Sequence, residues 1–162
     1  MAMDMFLKLG DIKGESVDKD AKHAGTFDIL AWSWGLSNSG TAHVGGGAGA
    51  GKVNVQDVSV TKWVDKGTPD ILLACCNGKH IPEATLTVRK AGESPLEYII
   101  VTMMDCLITA VSTGGSGGED RLTENVTINF AKVKFEYTEQ TKTGGAGDKP
   151  KMGWDISGNA KL

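Results

Sequence analysis

Residues 121–137, RLTENVTINFAKVKFEY, alternate with a period of two: Leu122, Val126, Ile128 and Phe130 fall on one side, and Thr123, Asn125, Thr127 and Asn129 on the other. Successive side chains of a strand point to opposite faces, so this pattern predicts a half-buried strand and excludes a helix. The polar side carries no charge, where an ordinary solvated strand is expected to carry Lys and Glu. Around Ala131 the phase flips. A flip inside a strand marks a bulge, which bends and twists the ladder.

The same period runs through most of the chain. Residues 3–12 set Met3, Met5, Leu7 and Leu9 against Asp4 and Lys8. Residues 26–36 change phase, with Phe27 and Ile29 on odd positions and Leu30, Trp32, Trp34 and Leu36 on even ones. Residues 52–64 change phase again, from Val53 and Val55 to Val58 and Val60. Residues 81–90 set Ala84, Leu86 and Val88 against Thr85, Thr87 and Arg89, and residues 96–111 are strongly apolar, expected as one central strand or as two joined by a bend near Asp105. One segment has helical spacing. Thr68 is expected as its cap, with Pro69 in the first position, Asp70 favourable to the dipole, Ile71, Leu72, Cys75 and Cys76 as its apolar set, and Gly78 as its stop. Residues 13–25 read as a polar connection, 37–51 as an extended glycine-rich loop, 138–152 as a flexible linker, and 153–156 as a last short strand. Strands that bend in mid-course close a sheet into a barrel or wrap two sheets together, and the chain lacks the βαβ rhythm of a parallel sheet.

With 162 residues, residues 1–162 are expected to form one domain around a single core. A net charge of −3 gives no drive toward nucleic acid or an anionic membrane. The first residues carry no basic leader or uninterrupted apolar run, and no stretch approaches the ~20 apolar residues that span a bilayer, so synthesis in the cytosol and export without a signal peptide are expected. Cys75, Cys76 and Cys106 lack zinc spacing and are expected as buried, reduced thiols.

Several motifs tempt and fail. Gly46 to Lys52 satisfies seven positions of a phosphate-binding loop, but the eighth is Val53 rather than Ser or Thr, and a strand pattern follows where a helix is required. Ser116 lies in a GxSxG run between glycines, with no histidine after it in the chain and no rigid support. His23, His43 and His80 are too far apart to pair at metal-ligand spacing. Glu119, Asp120 and Arg121 read as a charged turn between strands. Catalytic residues, metals and cofactors are therefore not expected.

Four long segments carry a resemblance: MFLKLGDIKGES (5–16), ILAWSWGLSNSG (29–40), GKVNVQDVSVTKWVDKGTPDILLACCNGKH (51–80) and STGGSGGEDRLTENVTINFAKV (112–133). Together they resemble the haemolysin-coregulated (Hcp) proteins, the tube subunits of the bacterial type VI secretion system. The resemblance implies a mainly β fold: a barrel of two antiparallel sheets with one short flanking α-helix, assembled as a homohexameric ring. It also implies stacked rings inside a contractile sheath, a spike protein at the tip, and small effector proteins held in the lumen. No enzymatic domain follows the barrel in this sequence, so the plain structural form is expected. The rival reading is a monomeric barrel that binds a ligand inside itself.

For such a ring, Ser33, Thr123, Asn125, Thr127 and Asn129 are expected to line the lumen, as part of a neutral polar set with Asn54, Gln56, Ser59, Thr61, Thr85 and Thr87. If each subunit supplies about four strands, ~24 strands at ~4.8 Å give a circumference of ~115 Å and a bore of ~37 Å between backbones. A 100-residue globule is ~33 Å across, so only small folded cargo would pass. Gly45, Gly46, Gly47, Ala48 and Gly49 are expected to belong to an arm that reaches the next ring, ordering on contact at an entropic cost.

Overall fold

The computed structural model describes residues 3–40, 43, 51–90, 92 and 95–162. Its elements are β1 (Met3–Leu9), β2 (Phe27–Ser33), β3 (Leu36–Ser37), β4 (Asn54–Val55), β5 (Val58–Trp63), α1 (Thr68–Asn77), β6 (Ile81–Lys90), β7 (Leu96–Thr113), β8 (Thr123–Tyr137), β9 (Lys151–Asp155) and β10 (Ala160–Lys161). One sheet runs β10-β9-β8-β5-β2-β1-β6-β7, and β7 pairs back onto β8 to close a barrel. The strand pairs are antiparallel, and β3 and β4 form a separate ribbon. Phe27, Leu7, Leu9, Val58, Val60, Leu86, Val101, Met103, Val126, Ile128 and Val133 fill the interior, and α1 adds Ile71 and Ala74.

The long strands β7 and β8 build the two halves of the barrel by bending. Asp105 takes a left-handed φ of 56° in β7, and the β7–β8 register shifts between Ile108 and Ala110. In β8 the buried set changes from Val126, Ile128 and Phe130 to Val133, and at the flip the Ala131 carbonyl accepts the Ile156 N–H at 2.9 Å. The phase change in 26–36 is a register shift between Ile29 and Ala31 against β5. That in 52–64 is a full break: β4 ends at Val55 and β5 begins at Val58. The chain leaves the barrel there, and the Trp34 indole donates to the Gln56 carbonyl at 2.9 Å.

Four expectations need correction. The residue flanking α1 is Gly67, without a side-chain cap; the Thr68 hydroxyl donates instead to buried Glu124 at 2.7 Å. Pro69 and Asp70 do sit in the first turn, and Gly78 ends the helix at φ 63°. Residues 138–150 are a hydrogen-bonded hairpin between β8 and β9 rather than a loose linker: Tyr137 N–H bonds Pro150 O at 3.0 Å, Glu139 N–H bonds Asp148 O at 2.8 Å, and Thr141 N–H bonds Gly145 O at 2.9 Å. Of the three free cysteines only Cys106 is buried, while Cys75 is half-buried and Cys76 exposed. Of the even apolar set in 26–36, Trp32 and Trp34 are half-buried and pack against the core, whereas Leu30, at the register shift, and Leu36 are exposed.

Candidate functional site

Register brings the scattered polar residues together. Ser33 on β2 opposes Ser59 on β5, Ser59 opposes Thr127 on β8, and Thr127 opposes Ala110 on β7. The next row reads Ala31, Thr61, Asn125 and Ser112. Beyond it Trp63 opposes Thr123, and at the other end Asn129 opposes Leu107. These residues face outward because Val58, Val60, Val126 and Ile128, one step away on the same strands, are buried. Ser33, Thr123, Asn125 and Asn129 are exposed and Thr127 is half-buried. The five expected residues thus share one outer face of β2, β5, the first half of β8 and the second half of β7.

Much of this face is hydrogen-bonded to itself. Ser59 and Thr127 hydroxyls meet at 3.3 Å, and the Thr61 hydroxyl donates to Asn125 Oδ1 at 2.7 Å. At one end Asn129 Nδ2 donates to Asp57 Oδ1 and the Thr109 hydroxyl to Asp57 Oδ2, each at 2.8 Å. Asp57 escaped the sequence reading because it lies in the break between Val55 and Val58, outside any strand phase. Both its oxygens are occupied, so the rim ends on a satisfied carboxylate.

The wider neutral set divides. Thr85 and Thr87 lie on β6, between Lys8 and Phe6 on β1 and Thr102 and Ile100 on β7. Lys134 and Glu136 on β8 continue those rows. This second outer face is charged, and Thr87 is buried within it. Asn54 sits in the β3–β4 ribbon opposite Ser37. Gly45, Gly46, Gly47, Ala48 and Gly49 lie outside the described residues.

Residues 13–25 are pinned over the charged face. The Arg89 guanidinium donates to Asp18 at 2.6 and 3.1 Å and to Asp4 at 3.0 Å, above the Phe6 ring. Hydrogen bonds from Arg89 and from the Asp20 N–H hold the Asp18 carboxyl below its ordinary range. The His23 ring stacks on Phe6 with centroids 4.3 Å apart and meets Glu97 at 2.7 Å, where Lys22 also bonds at 2.9 Å. Asp20, His23 and Glu97 place their donor atoms within 4.8 Å of one another, a spacing a metal could use. Lys22 already holds the Glu97 carboxylate there, so a metal would have to displace an ammonium.

Inside the barrel, Lys62 on β5 and Glu124 on β8 form a buried ion pair. Lys62 Nζ also donates to Trp63 O at 2.8 Å and Asp65 at 3.3 Å, and lies 4.9 Å from the Phe27 ring centroid. The signal was present in the sequence. Lys62 shares the parity of Val58 and Val60, and Glu124 that of Val126 and Ile128, so both had to point inward.

Residues 6–137 match the family described as "Type VI secretion system effector, Hcp". Protein hcp1 of Pseudomonas aeruginosa is 58% identical over 163 residues, covering 99% of each chain. The crystal structure of Hcp1 from Salmonella typhimurium superposes with a TM-score of 0.80 at 33% identity over 100% of both chains. A structure of a type six secretion system protein gives 0.92 at 29% identity, covering 99% of this chain and 100% of that one.

Proposed function

The chain belongs to the Hcp family of the type VI secretion system, and from that membership we propose that it is the structural subunit of the secretion tube. Six copies close into a ring, rings stack inside the sheath behind the spike, and the neutral face lines a bore that carries small effectors. Ser33, Thr123, Asn125, Thr127 and Asn129 form part of that lining, and the arm at Gly45, Gly46, Gly47, Ala48 and Gly49 joins successive rings. The protein is made in the cytosol and leaves through the machine it builds.

One observation carries this reading: the neutral face ends in a free strand edge on each side. On one flank, β1 pairs with β2 only at Phe6–Asp28 and Leu7–Phe27, which leaves Ala31 to Ser33 without a ladder partner there among the described residues. On the other, β6 pairs with β7 only as far as Cys106, which leaves residues 107–113 without a ladder partner on that flank among the described residues. Such edges present unpaired N–H and C=O groups that another chain can bind. Each also carries an exposed leucine, Leu30 at 40% and Leu107 at 38%. Two different edges meeting head to tail form a heterologous contact, the kind that closes rings. Joined this way, the four strands of each subunit supply the ~24-strand wall of ~37 Å bore worked out from strand spacing.

The rival, a monomeric barrel with a ligand inside, meets an interior filled by Phe27, Leu7, Leu86, Met103 and the Lys62–Glu124 pair. Light scattering and negative-stain imaging test the proposal. Annular particles near six times the 17.1 kDa chain mass are expected, and Leu107→Asp should release folded single chains with an unchanged circular dichroism spectrum. A wild-type protein that stays a single particle at every concentration overturns it.

A further inference from the structure

The neutral face carries one cation whose charge is left over. Trp63 stands on this face, opposite Thr123, as a large ring among hydroxyls and carboxamides. The Arg121 guanidinium lies over it, 4.4 Å from the ring centroid. Stacking fixes the plane of the guanidinium while leaving its N–H edge free to donate. Among the described residues, the ion pairs of lysines and arginines involve Lys22, Lys62, Lys79 and Arg89, and Arg121 takes part in none of them. Glu119 and Asp120 precede it as exposed residues, Glu119 N–H bonding Ser116 O at 3.1 Å, and neither forms an ion pair with it among the described residues. The carboxylate at the opposite end of the face, Asp57, has both oxygens filled.

We propose that the Trp63–Arg121 stack is a docking point for carboxylate groups on cargo, so that one mouth of the lumen selects acidic protein segments. The inference rests on the lumenal reading above. A guanidinium presents paired donors that fit a carboxylate in a bidentate way. Stacking on Trp63 removes part of the ordering cost that a free arginine would bear on binding. Sixfold repetition would place six such forks around one rim, so a segment with several acidic residues engages more than one of them. A lysine-rich segment finds no acceptor in the guanidinium, and a neutral one finds a wall already bonded to itself.

The test uses the full chain and a fluorescein-labelled octaglutamate peptide, with octalysine and a Gly-Ser octapeptide as controls, followed by fluorescence anisotropy at low salt. Preference for octaglutamate is expected. Arg121→Gln should weaken its capture by about tenfold or more, the scale for losing a charged anchor. Arg121→Lys, which keeps the charge without the planar stack, should fall between the two. Light scattering on each variant reports the ring separately. Rings that bind octaglutamate equally well with Arg121→Gln, or that take octalysine as readily, overturn this inference alone. A protein without rings removes the lumen, and this inference with it.

Discussion

Replacing Lys62 by Met tests whether the ion pair inside the barrel behaves as a buried one. The substitution keeps the length of the stem and deletes an ammonium that serves Glu124, Asp65 and the Trp63 carbonyl. Glu124 would keep only the Thr68 hydroxyl at Oε1, and its Oε2 has no partner even in the native chain. Removing one member of a buried pair costs about 3–5 kcal/mol. For a domain of this size each kcal/mol moves Tm by about 2–4 °C, so a fall of about 6–20 °C is expected. Glu124→Gln should cost a similar amount. Changing both residues to Met should cost less than the sum, because neither member of the pair is then left charged and alone, although the Thr68 hydroxyl, the Trp63 carbonyl and Asp65 each still lose a partner. Urea unfolding of wild type, both singles and the double closes the cycle, at one protein concentration because the proposed ring would add a mass-action contribution. A Lys62→Met cost under about 1 kcal/mol, as for an exposed pair, or strictly additive singles, would refute the reasoning.

Two further outcomes follow from the same side-chain environments. The Asp18 carboxyl is held low by Arg89; burial pushes Glu97 up, but bonds from Lys22 and His23 outweigh it and hold it low as well. A depressed folded pKa stabilises above the unfolded value of about 4 and is lost as pH falls through the lower folded one, so the protection of residues 13–25 against hydrogen exchange, relative to the intrinsic rate at each pH, should fall below pH ~4; protection there that stays flat down to pH ~2 would contradict the assignment. Burial pushes the Cys106 thiol up to about 11, so at pH 8 a thiol reagent should modify exposed Cys76 first, half-buried Cys75 more slowly, and Cys106 only on unfolding; rapid labelling of Cys106 would refute it.

Much of the fold was legible because alternation is a geometric property of strands. The phase flips near Ile29 and Ala131 marked real bends, and the apolar sets read for β1, β5, β6 and β8 supply much of the observed core, except that Met3 and Leu122 are exposed and Met5 is half-buried. What failed depended on contacts distant in sequence. Thr68 has the composition of a cap, but Glu124, 56 residues away, takes its hydroxyl. Residues 138–150 read as a linker because their ladder joins polar backbone groups and needs no apolar pattern. Thr85 and Thr87 looked equivalent to Thr123 and Thr127, since a single strand shows only that one side is polar. Which sheet that side belongs to is set by pairing: β6 neighbours Lys8 on β1, whereas β8 neighbours Ser59 on β5.

That division would have a physical consequence in the proposed ring, where six copies repeat it. Symmetry turns any one charge on the neutral face into a belt of six, spaced about 19 Å apart on a ~115 Å circumference. This separation is about twice the ~8 Å screening length at physiological salt, so such a belt would hardly repel itself and would not oppose ring closure. Assembly therefore places little demand on neutrality. A protein moving along a ~37 Å bore is in a different position, because it passes close to the wall on every side and meets all six charges together, in a narrow space where little bulk water screens them. Charges spread along the wall would trap cargo of one sign and bar the other. In the proposed tube, the absence of charge from Ser33, Ser59, Thr61, Asn125 and Thr127 would therefore serve passage, and the charged outer face of β1, β6 and the second half of β8 would escape that demand because no cargo would slide along it.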